Sequence, residues 1–345
     1  MKNILVIIGT RPEAIKLFPV ILSLKAVNCN VQVCLSGQHV GSALSILSTF
    51  SITVDYQIEQ TERDRTLSDL SSKIFNDLPY IFELAKPDLV IVQGDTTTAL
   101  IAALCAFYCH IQVAHVEAGL RTDNKFDPYP EEVNRRMISE IASIHFAPTE
   151  TAFEALRDKG DSYLTGNTGI DAVRLIKSSI TPLVDDNDVV IITIHRRENW
   201  ENLERICCSL DDLSRFYPAI TFKFITHPNP ELCNRIESCL ALSSPIKLIP
   251  AMDYINFISM LSASKYVITD SGGVQEESAF LGKFAFVMRE TTERFESIRN
   301  NLSMLVTPDN LIEIVATTNV NIQSSLIYGN GYAADTIAEV LSNEN

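Results

Sequence analysis

Three carboxylates stand where apolar runs stop. Asp95 follows Leu89 to Val92 in Gly94-Asp95-Thr96-Thr97-Thr98, and Glu117 follows Ile111-Gln112-Val113 in His115-Val116-Glu117-Ala118-Gly119-Leu120-Arg121. Glu131 lies a little further on, in Pro130-Glu131-Glu132. Carboxylates crowded at the end of a sheet raise one another's pKa, so one can be protonated while another stays basic. Such a set can take a proton from carbon or help a leaving oxygen depart. The structural alternatives are an Asp95 that caps the Thr96 turn, and ion pairs from Glu117 and Glu131 to Arg121 or Arg135.

Other segments are suited to an anion. In Gly9-Thr10-Arg11-Pro12-Glu13-Ala14-Ile15-Lys16, Thr10 and Glu13 have the spacing of a capping box, and Pro12 fits a first helical turn. Arg11 opposes the helix dipole there, unless an anion is shared between its guanidinium and the free N–H groups, with Lys16 reaching toward it. Asp270-Ser271-Gly272-Gly273-Val274-Gln275-Glu276-Glu277 follows the run Tyr266 to Thr269. Its Ser271, Gly272 and Gly273 let backbone approach a ligand at a helix start, and Glu277 could accept from two adjacent hydroxyls, as on a ribose. The spacing is neither GxGxxG nor a Walker loop. His195 heads His195-Arg196-Arg197 after Ile191 to Ile194, and Arg289 to Arg294 ends the run Phe284 to Met288. Arginine forks suit phosphate oxygens, although a salt bridge to a neighbouring acid is the ordinary role of Arg196, Arg197 and Arg289.

The elements that must position these groups repeat one unit: apolar run, polar or glycine turn, helical pattern. Ile4 to Ile8 leads into Arg11 to Ser23, Val31 to Leu35 into Ser42 to Ser48, and Leu89 to Val92 into Thr97 to Tyr108. The unit restarts with runs at Val189 to Ile194, Phe222 to Thr226, Ile246 to Ile249, Tyr266 to Thr269 and Phe284 to Met288. This predicts an α/β protein of two doubly wound Rossmann-like domains, 1–170 and 171–330, with strand ends facing a shared interdomain cleft. Residues 331–345 form a last helix, with the N-terminal domain as its candidate partner.

Composition narrows the classes. The chain has 345 residues, 46% of them hydrophobic, enough for two ordinary domains. Its formal net charge of −15, from 43 acidic and 28 basic residues, disfavours a nucleic-acid or anionic-membrane footprint. The eight cysteines form no CxxC unit and are expected as reduced, mostly buried thiols of a cytoplasmic protein. Ile4 to Ile8 is too short for a secretory signal, and no run reaches the roughly 20 residues of a membrane span. The six histidines are dispersed and no HExxH occurs, so metal dependence is not expected.

Taken together, the segments at 9–16, 94–98, 115–122, 130–135 (Pro130-Glu131-Glu132-Val133-Asn134-Arg135), 166–168 (Gly166-Asn167-Thr168), 195–199, 270–277 and 291–294 (Thr291-Thr292-Glu293-Arg294) resemble the non-hydrolysing UDP-N-acetylglucosamine 2-epimerases. The resemblance implies a GT-B-like fold and a cofactor-free homodimer that interconverts UDP-GlcNAc and UDP-ManNAc for cell-surface polysaccharide. UDP leaves to give a 2-acetamidoglucal and then adds back. It further implies that Asp95, Glu117 and Glu131 are catalytic with His195 beside the diphosphate, and that Arg11, Ser271, Gly272, Gly273, Glu277 and Arg294 hold UDP.

A glycosyltransferase of the same fold, a hydrolysing 2-epimerase, an epimerase of a related UDP-2-acetamido sugar and a nucleotide-sugar sensor are the alternatives. Gln38, His39 and His227 mark the family's activator site. Members usually follow Gln38-His39 with Arg and a longer polar residue, whereas Val40 and Gly41 stand here. Weak substrate activation is therefore expected.

Overall fold

The computed structural model describes residues 1–38, 40–59, 66–126, 128–179, 188–226, 229–240 and 244–343. The chain forms two compact units, Met1–Arg174 with Tyr328–Asn345, and Leu175–Ile327.

The first unit alternates strand and helix: β1 (Asn3–Ile8), α1 (Arg11–Ala26), β2 (Asn30–Leu35), α2 (Val40–Thr49), β3 (Tyr56–Gln57), α3 (Leu67–Ala85), β4 (Leu89–Gln93), α4 (Thr97–Tyr108) and β5 (Gln112–Val116). It continues through α5 (Glu131–Ile141), β6 (Ile144–Ala147), α6 (Glu150–Glu154), β7 (Asp161–Leu164) and α7 (Thr168–Ser179), which leads into the second unit. The sheet is parallel in the order β3-β2-β1-β4-β5-β6-β7. Every residue of β4 is buried, because helices cover both faces of a parallel sheet and its central strands must be apolar throughout. The strand order reverses between β1 and β4, and the loops leaving their C-terminal ends part there, which is where such sheets bind ligands.

Local chemistry starts the helices as the sequence suggests. Thr10 caps α1 through a complete capping box with Glu13, and Thr96 caps α4 by accepting from Ala99 N at 3.0 Å. Both helices therefore begin within two residues of candidate side chains. Gly9 is required by contact: a Cβ there would lie 2.3 Å from Thr98 Oγ1.

The second unit repeats the plan with β8 (Val189–Thr193), α8 (Leu203–Phe216), β9 (Thr221–Ile225), α9 (Pro230–Cys239), β10 (Lys247–Ile249), α10 (Tyr254–Ala263) and β11 (Tyr266–Thr269). Then come α11 (Gly272–Leu281), β12 (Phe284–Met288), α12 (Phe295–Arg299), β13 (Ser303–Val306) and α13 (Leu311–Thr317). Its parallel order is β10-β9-β8-β11-β12-β13, with the reversal between β8 and β11. The fully buried Phe222, Phe224 and Phe286 fill its core. Finally α14 (Ala333–Asn343) belongs to the first unit, where Ser23 donates to Asp335 at 2.6 Å and Ala334 N to Asp171 at 2.8 Å.

One expectation needs correction. Only Cys34, Cys105 and Cys207 are buried, whereas Cys109 and Cys208 are exposed and the other cysteines half-buried. Cys109 caps the end of α4, and Cys208 points away from the core face that Cys207 occupies on α8. Among the described residues no helix is long and apolar enough to cross a membrane.

Candidate active site

In the first unit the candidate carboxylates emerge on β4, β5 and the start of α5, each already held. Asp95 pairs with Arg135, whose Nε lies 3.0 Å away and whose Nη2 also donates to it. The side-chain amide of Asn134 donates to the Asp95 carbonyl at 2.9 Å. Glu117 is buried and pairs with Lys16 Nζ at 2.5 Å through one oxygen, while the Gln93 amide donates to the other. A Cβ on Gly94 would sit 3.8 Å from Glu117 Oε2, so this carboxylate lies over the turn that leads to Asp95. Glu117 also adopts φ 63°, in the left-handed region, which costs a non-glycine residue roughly 1–3 kcal/mol and is characteristic of functional sites. Glu131 is half-buried as the first residue of α5.

The ion pairs differ from those expected. Arg135 serves Asp95 and the fully buried Glu132, not Glu131, and Arg121 donates to Leu120 O and Ser139 rather than to Glu117. The reason is helical spacing, since Glu132 stands three residues before Arg135 on α5. Lys16, expected to reach toward an anion shared with Arg11, pairs with Glu117. Nor does Asp95 cap the following turn, because Thr96 does so itself.

Glu13 is a further buried acid beside this set. It accepts from Gly9 N at 3.1 Å, Thr10 N at 2.6 Å, Thr10 Oγ1 at 2.8 Å and Thr96 Oγ1 at 2.8 Å. Burial pushes its carboxyl up to about 7, against these hydrogen bonds, which lower it. It thereby joins the loop after β1 to the loop after β4. Gln38 accepts from Thr98 at 3.0 Å. His39 and His227 lie outside the described residues, as does the side chain of Arg197.

In the second unit the loops after β8 and β11 meet at Asp270, which is fully buried. It accepts from His195 N at 2.9 Å, Arg196 N at 2.8 Å and Asn199 Nδ2 at 3.0 Å. His195 Nδ1 is 3.5 Å from Asp270 Oδ1, leaving the ring 37% exposed. Ser271 precedes α11 without capping it through its side chain. A Cβ on Gly272 would lie 3.1 Å from Glu293 Oε1, whereas one on Gly273 would have Ser271 Oγ as its nearest neighbour at 3.9 Å. A side chain at Gly272 would therefore crowd Glu293, whereas Gly273 has room for a Cβ. Glu277 is buried and accepts from Tyr254 Oη at 2.6 Å.

Arg294 is not an isolated cation. Its Nε donates to Glu276 at 2.7 Å and its Nη1 lies 3.1 Å from Glu293. Arg196 at 3.2 Å and Arg289 at 2.8 Å reach the same Glu293. Burial alone would raise that carboxyl, but Arg294, Arg196 and Arg289 outweigh it and hold it far below the usual carboxylate range. Glu276 and Glu198 also pair with Arg294 and Arg196, so the three guanidinium groups are matched by three carboxylates, and the cluster sets an array of N–H donors beside the N-terminus of α11.

Carboxylates gather at one switch point and a glycine turn with arginines at another, and the sequence model of the UDP-N-acetylglucosamine 2-epimerases matches residues 23–342. The chain belongs to this epimerase family. It is 40% identical over 332 residues to the UDP-N-acetylglucosamine 2-epimerase of Neisseria meningitidis, covering 90% of this chain and 89% of that one. It is 35% identical over 370 residues to the Escherichia coli (strain K12) enzyme of the same name, covering 99% and 98%. Its fold is similar to the crystal structure of the Neisseria meningitidis UDP-GlcNAc 2-epimerase bound to UDP-GlcNAc, at a TM-score of 0.90 and 37% identity over 100% of both chains. The fold is accordingly GT-B-like, as expected.

For this epimerase-family chain, some contributing residues carry weak sequence signals. Asp270 and Glu293 look like ordinary loop acids until their donors are seen. Gln93 has a faint signal, being the polar side chain that closes the apolar run Leu89 to Val92.

Proposed function

We propose that the chain is a non-hydrolysing UDP-GlcNAc 2-epimerase in which Asp95, Glu117 and Glu131 carry the acid/base chemistry. The observation that carries this is the pairing of Asp95 and Glu117 at the ends of adjacent strands, with Glu117 held by Lys16 and Gln93 in a strained backbone conformation. A positioned carboxylate takes the C2 proton, the C2–H electrons form the C1–C2 double bond, and the C1–O bond breaks to release UDP. UDP oxygen then adds back to C1 of the 2-acetamidoglucal while C2 receives a proton on its other face. Arg11 and the α11 turn with Ser271, Gly272, Gly273 and Arg294 hold UDP, Glu277 takes the ribose hydroxyls, and His195 stands beside the diphosphate. The family habit supports a cytoplasmic homodimer that feeds polysaccharide precursors.

Incubation with UDP-GlcNAc in D2O is expected to place deuterium at C2 of both epimers with no acceptor present. Full protium retention during turnover would refute the elimination, and stoichiometric free UDP would favour hydrolysis instead. Arg11→Ala is expected to weaken UDP binding by roughly 1.5–3 kcal/mol, about 10- to 150-fold, since it removes a charged donor. Titration calorimetry with UDP measures this, and unchanged affinity would place the nucleotide elsewhere.

Val40 and Gly41 form the first turn of α2, and a Cβ on Gly41 would meet no atom within 4 Å. A site with so little grip shifts an equilibrium little. UDP-ManNAc alone is therefore expected to react hyperbolically. A lag that a trace of UDP-GlcNAc abolishes would show that the activator site is intact.

A further inference from the structure

We propose that Gln93 and His115 are positioning residues that clasp the ends of β4 and β5 and so hold Asp95 and Glu117 in fixed mutual register. The proposal rests on the reading of Asp95 and Glu117 as the groups that move the proton.

The two strands pair in parallel, with Val92 opposite His115 and Gln93 opposite Val116. Their ladder ends with Gly94 N donating to Val116 O at 2.9 Å. Beyond it both chains turn through left-handed conformations, at Gly94 (φ 67°) and Glu117 (φ 63°). Backbone bonds hold one side of each turn, Gly94 N to Val116 O and Ala118 N to Phe146 O at 3.0 Å, while side chains hold the Gly94 carbonyl and the Glu117 carboxylate.

His115 does so for the first turn. Its Nε2 lies 2.7 Å from the Gly94 carbonyl oxygen, and a carbonyl only accepts, so Nε2 carries the proton. Burial pushes this imidazole down to about 3, against the hydrogen bond to Gly94, so the ring is neutral with Nδ1 bearing a lone pair. The Gly94 carbonyl belongs to the peptide group that joins Asp95. Fixing its plane fixes the direction in which Asp95 leaves the strand. Asn134, bound to the Asp95 carbonyl, fixes the next peptide.

Gln93 acts on the second turn. Its side-chain amide donates to Glu117 Oε2 while Lys16 holds Oε1, so neither oxygen can swing freely. Both Gln93, 4% exposed, and His115, 0% exposed, sit among Val90, Ile91, Val92, Val113, Ala114 and Val116 in the middle of the sheet. An apolar side chain would fill either place without the cost of burying a polar group. Each polar side chain instead makes its hydrogen bond to the turn that presents a carboxylate.

The test compares Gln93→Leu, His115→Leu and His115→Gln with the parent, measuring kcat and KM for UDP-GlcNAc, UDP affinity and thermal stability. Loss of the clasp should lower kcat about 10- to 100-fold in both leucine variants, since misplacement by about an ångström has that effect, with KM and UDP affinity within about two-fold. His115→Gln, whose amide can donate to Gly94, should recover most of kcat. Folded leucine variants with parental kcat, or a fall in kcat that follows lost stability and that glutamine does not rescue, would overturn the clasp. If His115→Leu does not fold, Gln93→Leu tests the clasp through Glu117, with the same two results deciding for or against it. Asp95→Asn and Glu117→Gln run alongside. Should those retain turnover, the carboxylate reading fails; should they lose it while the leucine variants keep it, the clasp alone fails.

Discussion

Converting Asp95, Glu117 or Glu131 to its amide is expected to cut turnover by about 10²-fold or more, because positioned proton transfer contributes that much. UDP affinity should stay near the parental value, since the arginines and the α11 turn lie on other elements. The variants differ in what they leave behind. Glu117→Gln takes the carboxylate away from Lys16, whose side chain is 13% exposed, whereas Asp95→Asn leaves Arg135 its second carboxylate, Glu132. Thermal unfolding should therefore drop further for Glu117→Gln than for Asp95→Asn. Steady-state turnover and UDP calorimetry on the same preparations check the prediction. Amide variants with near-parental turnover would make these carboxylates structural.

Glu293→Gln should be the most destabilising conservative change in the second unit. The carboxylate is nearly buried, and Arg196, Arg289 and Arg294 all reach it. Removing one member of a buried ion cluster leaves uncompensated charge and costs about 3–5 kcal/mol. The lower end is expected, because Arg196 is 23% exposed and can turn to water. At about 2–4 °C per kcal/mol for a domain of this size, the melting temperature should fall by at least roughly 6 °C. The sign with pH follows from the depressed carboxyl. Its contribution is complete above the ordinary value of 4.5 and is lost as pH falls through the lowered one. The gap between parent and variant should therefore be full at neutral pH and shrink in acid. A gap that is absent at pH 7, or that widens in acid, would refute the hub. UDP affinity should fall as well, since the arginine forks lose the group that orients them.

Much of the architecture is legible in the chain because parallel strands under helices must be apolar throughout. Leu89 to Val92, Val189 to Thr193 and Phe284 to Met288 could be read directly for that reason, and Thr10 with Glu13 announces the start of α1 by capping chemistry. The edge strands β7 and β13 are harder. Asp161 and Leu164 are exposed in β7, and Met304 is 39% exposed in β13, so neither needs a continuous apolar run. Candidate site residues could be named from the sequence because charged side chains at the ends of buried strands stand where open α/β sheets bind ligands.

Residue types and spacing alone determined that Asp95, Glu117, His195 and the turn at Ser271 to Gly273 stand at strand ends. The partner of each was decided only by the fold. Lys16 and Glu117 are 101 residues apart, and Arg135 and Asp95 are 40 apart. Nothing local in the chain favours those pairs over Glu117 with Arg121. The strand order does so, because it sets β1 beside β4 and β4 beside β5, bringing the start of α1 and the ends of both strands to one edge. The same holds for Asp270 and Glu293, ordinary acids in the sequence, which become hubs because β11 and β12 lie side by side next to β8. Charge pairing acts over a few ångströms of space, and only the folded chain places these residues that close.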